Sequence, residues 1–229
     1  MEKVSPFYEK QEKCLLCQQT FPTTKIRTSF VKVKEHDTDL KPIYEGDINP
    51  LFYNVKICVH CGFSYTDDFA KYFAPNVKEE LQEKVASQWV SQNYGSLRTI
   101  HQAINSYKLA IYNGMIKREK HLTIAGLALR TAWLYRDLEN SAQEIRFLEM
   151  AAKQYEYAYL NEDLTATQMS EVKVLYLIAE LLRRSGHLEE AATYFSKVIE
   201  KQRISNDKKI IEMARDRWYE LRETMKHSS

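Results

Sequence analysis

Two Cys-x-x-Cys pairs, Cys14-Leu-Leu-Cys17 and Cys58-Val-His-Cys61, hold all four cysteines of this 229-residue chain, with 40 residues between them. A CxxC turn points both of its sulfurs at one cation, and two such turns complete a tetrahedral S₄ shell. The expected ligands are therefore Cys14, Cys17, Cys58 and Cys61, with Zn²⁺ as the ion and iron in a rubredoxin-like shell as the runner-up. Two disulfides fit a reducing compartment less well. A thioredoxin-type redox pair opens a helix after a strand, which neither pair clearly does. A closed Cys₄ shell has no open coordination position, so the site reads as structural and not catalytic. Metal binding would then supply folding energy to a segment with little core of its own.

The neighbours of the pairs support this reading. Gly62 directly follows the second pair, where a residue without Cβ can turn while backbone amides face the thiolates. Phe21 and Tyr65, each four residues past its pair, are expected to shield the ion. His60, between two ligating cysteines, should point to solvent. His36 with Asp37 and Asp39 reads as a solvated loop cluster before it reads as a second metal site.

Residues 1–13 look polar and loose, while Lys25–Lys34 and Tyr53–Cys58 read as strands around a loop with two prolines. From Asp67 the pattern turns helical. Asp67 and Asp68 are placed to cap a short helix through Phe73, and Asn76 with Glu79 fits a capping box. No proline follows Pro75. Helices are expected near 77–92, 96–118, 122–138, 142–159, 168–185, 188–203 and 207–226, with Gly186 as a left-handed C-terminal cap. The fold class is α+β, mainly α: a small zinc-ribbon β head over residues 1–66, then a tetratricopeptide-like array of helical hairpins with a C-terminal capping helix over 67–229.

The repeat pattern is clearest at Leu175, Ile178, Ala179, Leu182, Gly186, Leu188, Ala191, Phe195 and Val198. Small residues let two antiparallel helices approach, and a large one fills the gap to the next pair; this resembles a tetratricopeptide repeat. A similar Ala103, Tyr107, Ala110 signature lies 88 residues before Ala191, and Ala132 with Tyr135 sits between. Three degenerate hairpins plus a terminal helix carrying Trp218 and Leu221 follow from this spacing. An irregular bundle is the alternative.

Charge is nearly balanced, 33 Lys and Arg against 31 Asp and Glu, so no global basic face marks a nucleic-acid binder. No leader-like apolar region opens the chain and no window of 18 apolar residues occurs, so a cytoplasmic protein without a membrane span is expected. No nucleophile elbow, P-loop, dinucleotide fingerprint or HExxH motif is present, and no small-molecule substrate is evident. The basic segments at 115–121 and 197–203 read as solvated surface.

Three functions remain, the least supported being an enzyme with an unrecognised site, since no catalytic constellation stands behind it. The first is a non-enzymatic interaction or adaptor module with a protein or peptide partner. The helical face carrying Lys173, Tyr176, Glu180 and Arg183, with Arg136 from another repeat, lines its groove. The alternative is a nucleic-acid-binding or transcription-associated protein using Lys25, Arg27, Lys32 and Lys34, interleaved with Phe30 and Val33. An edge strand guarded by lysines is the preferred reading of those four, because the domain is electrically balanced.

The N-terminal CxxC, the stretch GDINPLFYNVKICVHCGFSYTDDF at 46–69 and the repeat-like tail together resemble the bacterial domain-of-unknown-function family 2225, over nearly the whole chain. The resemblance implies a cytoplasmic, Gram-positive-type protein with a metal-binding head and a helical-repeat body. It implies no activity. The first pair is followed by Gln18 instead of a glycine, a departure from the second knuckle.

Overall fold

A computed structural model describes residues 4–165, 167 and 169–227. The chain forms two compact units: residues 1–36 with 42–119, and residues 37–41 with 120–229. The first unit thus runs past residue 66 and takes in the first two helices.

In the first unit, β1 (Phe7–Lys13) pairs antiparallel with β2 (Thr20–Ile26), from Phe7 opposite Ile26 to Lys13 opposite Thr20. β1 was expected to be loose; its polar, mostly exposed residues hide the alternation of a strand. The strand expected over Lys25–Lys34 is broken. β2 stops at Ile26, where its partner strand begins, and a 3₁₀ turn at Thr28–Phe30 separates it from β3 (Val33–His36). β3 pairs irregularly with β4 (Pro42–Tyr44), inside the segment expected to be loop. The Tyr53–Cys58 run is mostly not strand either: a 3₁₀ turn covers Pro50–Tyr53, and only Lys56–Ile57 form β5, paired with β6 (Ser64–Tyr65).

The short helix expected from Asp67 is a series of turns. Asp67 is engaged elsewhere, accepting from Lys56 Nζ at 2.5 Å, and Asp68 N donates to Thr66 Oγ1 at 3.3 Å. α1 (Val77–Lys84) follows Asn76, whose φ of +64° takes its side chain out of capping geometry, so the expected capping box is absent. The capping box of this unit is Thr99 with Gln102, at the start of α2 (Ile100–Lys117). Ala103, Tyr107 and Ala110 are fully buried, but α2 packs against α1, β6 and the Pro50–Tyr53 turn. Tyr107 donates to Leu51 O at 2.8 Å. This small-large-small signature therefore serves the head.

In the second unit, α3 (His121–Asp137) packs along α4 (Ser141–Asn161), and α5 (Glu171–Arg184) along α6 (Leu188–Glu200). α4 also packs on α5, and α7 (Lys208–His227) closes against α6 and α5. Ala179, Ala191, Phe195 and Val198 have no exposure, as close helix approach requires. Gly186 at φ +87° ends α5, and His187 N returns to Leu182 O at 2.9 Å, satisfying a carbonyl of the last turn. Ile211, Ala214 and Leu221 are the buried stripe of α7. The protein is α+β and mainly α, and among the described residues no helix is long and apolar enough to cross a membrane.

Candidate metal centre

Cys14 and Cys17 lie in the turn of the β1–β2 hairpin, and Cys58 and Cys61 in the turn of β5–β6. The four Sγ atoms lie within 4.8 Å of one another, with Cys14–Cys61 and Cys17–Cys58 each at 3.6 Å. A disulfide needs about 2 Å. A tetrahedral ion with metal–sulfur bonds of about 2.3 Å places its sulfurs roughly 3.8 Å apart. The cysteines are free, and the set has the spacing to hold a metal ion. Cys14, Cys58 and Cys61 are buried and Cys17 is half-buried.

Both knuckles are built alike. Cys14 N donates to Gln19 O at 2.9 Å and Gln18 N to Cys14 O at 3.1 Å; Cys58 N donates to Phe63 O at 3.0 Å and Gly62 N to Cys58 O at 2.8 Å. Backbone amides face the sulfurs, from Cys17 to Cys14, from Cys61 and His60 to Cys58, and from Phe63 to Cys61. Gln18 takes the left-handed conformation at φ +63° that Gly62 takes at +70°. The departure in the first knuckle is one of residue type, not of geometry.

Among the thiols themselves, charge falls on one sulfur. Hydrogen bonds from Cys14 and Cys61 pull the Cys58 thiol down, while the bond to Cys58 pushes Cys14 up. Cys61 is pushed up by its bonds to Cys14 and Cys58 and by burial. A bound cation is what lets four adjacent sulfurs all be thiolates.

Aromatic groups wall the centre. Phe21 and Tyr65 are buried, as expected for shields; Tyr65 donates to Lys13 O at 3.3 Å, and Phe63 stacks on it at 5.4 Å. Sequence reading missed Trp89. A Cβ built on Gly62 would lie 2.4 Å from the Trp89 ring, whose Nε1 donates to Val59 O at 2.9 Å. Only the contact itself reveals this lid. His60 is exposed, with Nε2 3.1 Å from Thr20 O.

The basic residues Lys25, Arg27, Lys32 and Lys34 do not form one stripe. Lys25 lies 3.8 Å from Asp67, and Arg27 donates to Ser5 O and lies over the Tyr8 ring at 5.1 Å. Lys32 and Lys34 are exposed, beyond the 3₁₀ turn.

Tyr176, Glu180 and Arg136 converge, but around the chain's own turn Asp37–Lys41. Tyr176 and Glu180 have no exposure. Tyr176 Oη donates to Thr38 O at 2.6 Å, and Thr38 Oγ1 donates to Glu180 at 2.5 Å. Arg136 donates to Asp39 at 2.6 Å, Asp37 at 2.8 Å and Glu144 at 2.6 Å; Trp133 Nε1 reaches Asp39 at 2.9 Å. Arg184 donates to Asp37 at 2.6 Å, and Lys41 pairs with Asp137. Arg183 bonds Glu180 at 2.7 and 2.8 Å and, like Lys173, stays half-buried. So Tyr176 and Glu180 are closed to solvent in this state. Asp37 and Asp39 are not a solvated cluster with His36; they are arginine partners. Among the described residues, the four cysteines are the group placed to hold a metal.

An uncharacterized protein of Borreliella burgdorferi is 28% identical to this chain over 156 residues. The match takes in 61% of the chain but 56% of that relative's length. No solved structure matches. Residues 7–221, from β1 into α7, match the family described as "Uncharacterized protein conserved in bacteria (DUF2225)", and the chain belongs to that family.

Proposed function

We propose that this protein is a non-catalytic protein-interaction module of the bacterial cytoplasm, with a structural Zn²⁺ in a zinc-ribbon head and a tetratricopeptide-like helical body. The single observation that carries the reading is the face of α3 and α5. It grips an irregular peptide turn through side chains, with one carboxylate buried among an arginine and an indole N–H. A helical pair that recognises one peptide segment in this way has the chemistry to recognise another. The reading of the body as repeat-like is supported by the α3–α4 and α5–α6 hairpins and by the small residues at their contacts.

Zinc is our reading of the ion because a closed set of four cysteines is the ordinary structural zinc site; the ion then acts as a cross-link between two hairpins. No observation favours the nucleic-acid reading, since Lys25 and Arg27 are engaged in the fold.

The test is affinity capture of the full chain from lysate of its own source cells. One protein should be recovered at a fixed ratio and be lost with Lys173→Glu/Arg183→Glu, two half-buried positions at the edge of the face. Absence of any stoichiometric protein overturns the reading.

A further inference from the structure

The Asp37–Lys41 turn does not belong to the compact unit of the strands that flank it; it belongs to the helical unit. Its grip has a readable code. Two carboxylates two residues apart meet two guanidiniums, Asp39 on Arg136 and Asp37 on both Arg136 and Arg184. The intervening Thr38 gives its hydroxyl to Glu180 and takes the Tyr176 hydroxyl on its carbonyl. Lys41 supplies a cation to Asp137 and to Trp133 O. The turn shape is fixed within itself, by Asp37 N to Lys41 O and Leu40 N to Asp37 O, both 2.8 Å, with Leu40 at φ +65°.

The side chains of Asp37, Thr38, Asp39 and Lys41 and the Thr38 carbonyl are thus each met by a side chain of α3 or α5, as in a complex of receptor and peptide. Bidentate arginine–carboxylate recognition is geometry-specific. Resting on the reading of the body as an interaction module, we infer that the α3–α5 face is a recognition site for acidic Asp-x-Asp turns and that residues 37–41 are its resident occupant. The partner class is a protein presenting two carboxylates at that spacing. A tethered occupant has an effective concentration on the order of millimolar. A partner with the same contacts therefore competes with the resident turn, and weakening or releasing that turn tightens its binding.

The experiment uses the full chain and a fluorescently labelled synthetic peptide of residues 33–44. Asp37→Ala/Asp39→Ala removes both carboxylates of the resident turn from Arg136 and Arg184 and so weakens its hold on the face. This variant should bind the peptide at least 10-fold more tightly than the unaltered protein does. Adding Arg184→Gln, or using a peptide with alanine at both aspartates, should abolish the gain. Equal binding by variant and unaltered protein, no binding by either, or equal binding of the alanine peptide overturns the inference. Far-UV circular dichroism checks that the variant folds. If it does not, Asp37→Asn is the measured variant: it removes one charge from a half-buried residue and must bind more tightly than the unaltered protein, or the inference fails. Cellular capture keeps the two readings apart. A stoichiometric partner without peptide binding removes only the Asp-x-Asp code, and peptide binding without a partner removes only the module.

Discussion

Gln18 and Gly62 hold the same left-handed backbone step, at φ +63° and +70°, each one residue past the second cysteine of its pair. A residue with a Cβ is strained there by roughly 1–2 kcal/mol. Gln18 recovers part of that by donating Nε2 to Leu15 O at 2.9 Å. Gln18→Gly is therefore expected to change the unfolding free energy by less than about 1 kcal/mol. Gly62→Ala meets the same strain and also the Trp89 ring at 2.4 Å, so it must displace the lid. It is expected to cost more than about 2 kcal/mol. Denaturant unfolding of the two metal-loaded variants checks this; equal losses would mean that Trp89 does not seat on Gly62.

The sulfur spacing predicts one metal ion per chain. Elemental analysis of protein purified without added metal should return one zinc, and Cys58→Ser or Cys14→Ser should lose it. Removing the ion with a chelator should loosen the β1–β2 and β5–β6 hairpins, because among the described residues they are separate two-stranded sheets that the ion would cross-link. Iron, or a metal-free chain with the same stability, would exclude a structural zinc.

Asp39 is fully buried between Arg136 and Trp133. Removing one member of a buried pair leaves the other uncompensated, at about 3–5 kcal/mol. Asp39→Ala is expected in that range, and Glu144→Ala below it, since Arg136 then keeps both aspartates. Thermal unfolding ranks them, and the opposite order would displace Asp39 from the centre of the cluster.

These contacts also show what was readable in advance. The helices from α2 onward were legible because proline is absent after Pro75 and because Gly186 marks a stop. The cysteine set was legible because metal ligands follow a spacing rule. The Asp37–Arg136 and Asp37–Arg184 pairs, 99 and 147 residues apart, were not, because only the tertiary fold selects one arginine among many. The same holds for β1, a strand with mostly exposed residues, and for the Ala103 signature, which is small-large-small for packing on the head.

Acid should weaken the helical unit in a defined window. Burial works against the charge of Glu180, but hydrogen bonds from Arg183 and Thr38 outweigh it and hold the carboxyl below its ordinary 4.5. Asp37 is held below 3.8 in the same way: burial opposes its charge, while the Thr38 amide, Arg184 and Arg136 favour it. A depressed carboxyl stabilises the fold fully above its unfolded value and loses that contribution as pH falls through the folded one. Stability should therefore decline below about pH 4.5. Glu180→Gln should be less stable at pH 7 yet show a shallower decline, a comparison in which acid effects on the cysteines cancel. Parallel pH profiles would remove Glu180 from the acid response.

Arg98 ties together backbone segments of the first unit, one of which leads into the second cysteine pair. Its Nε donates to Tyr94 O at 2.8 Å, and Nη1 donates to Phe52 O at 3.0 Å and Val55 O at 2.8 Å. The side chain is buried, and burial lowers it to about 10, so the guanidinium stays charged near neutrality. Lysine has one nitrogen in place of a planar fork and cannot span carbonyls from separate segments. Arg98→Lys is expected to cost about 1–3 kcal/mol by leaving carbonyls unpaired. Val55 lies three residues before Cys58, so the loss falls on the segment that carries the second knuckle. Where folding and metal binding are one event, about 1.4 kcal/mol of lost folding energy appears as a tenfold weaker apparent affinity. Chelator competition on Arg98→Lys should show at least that shift. An unchanged affinity beside a lowered melting temperature would confine Arg98 to packing remote from the metal.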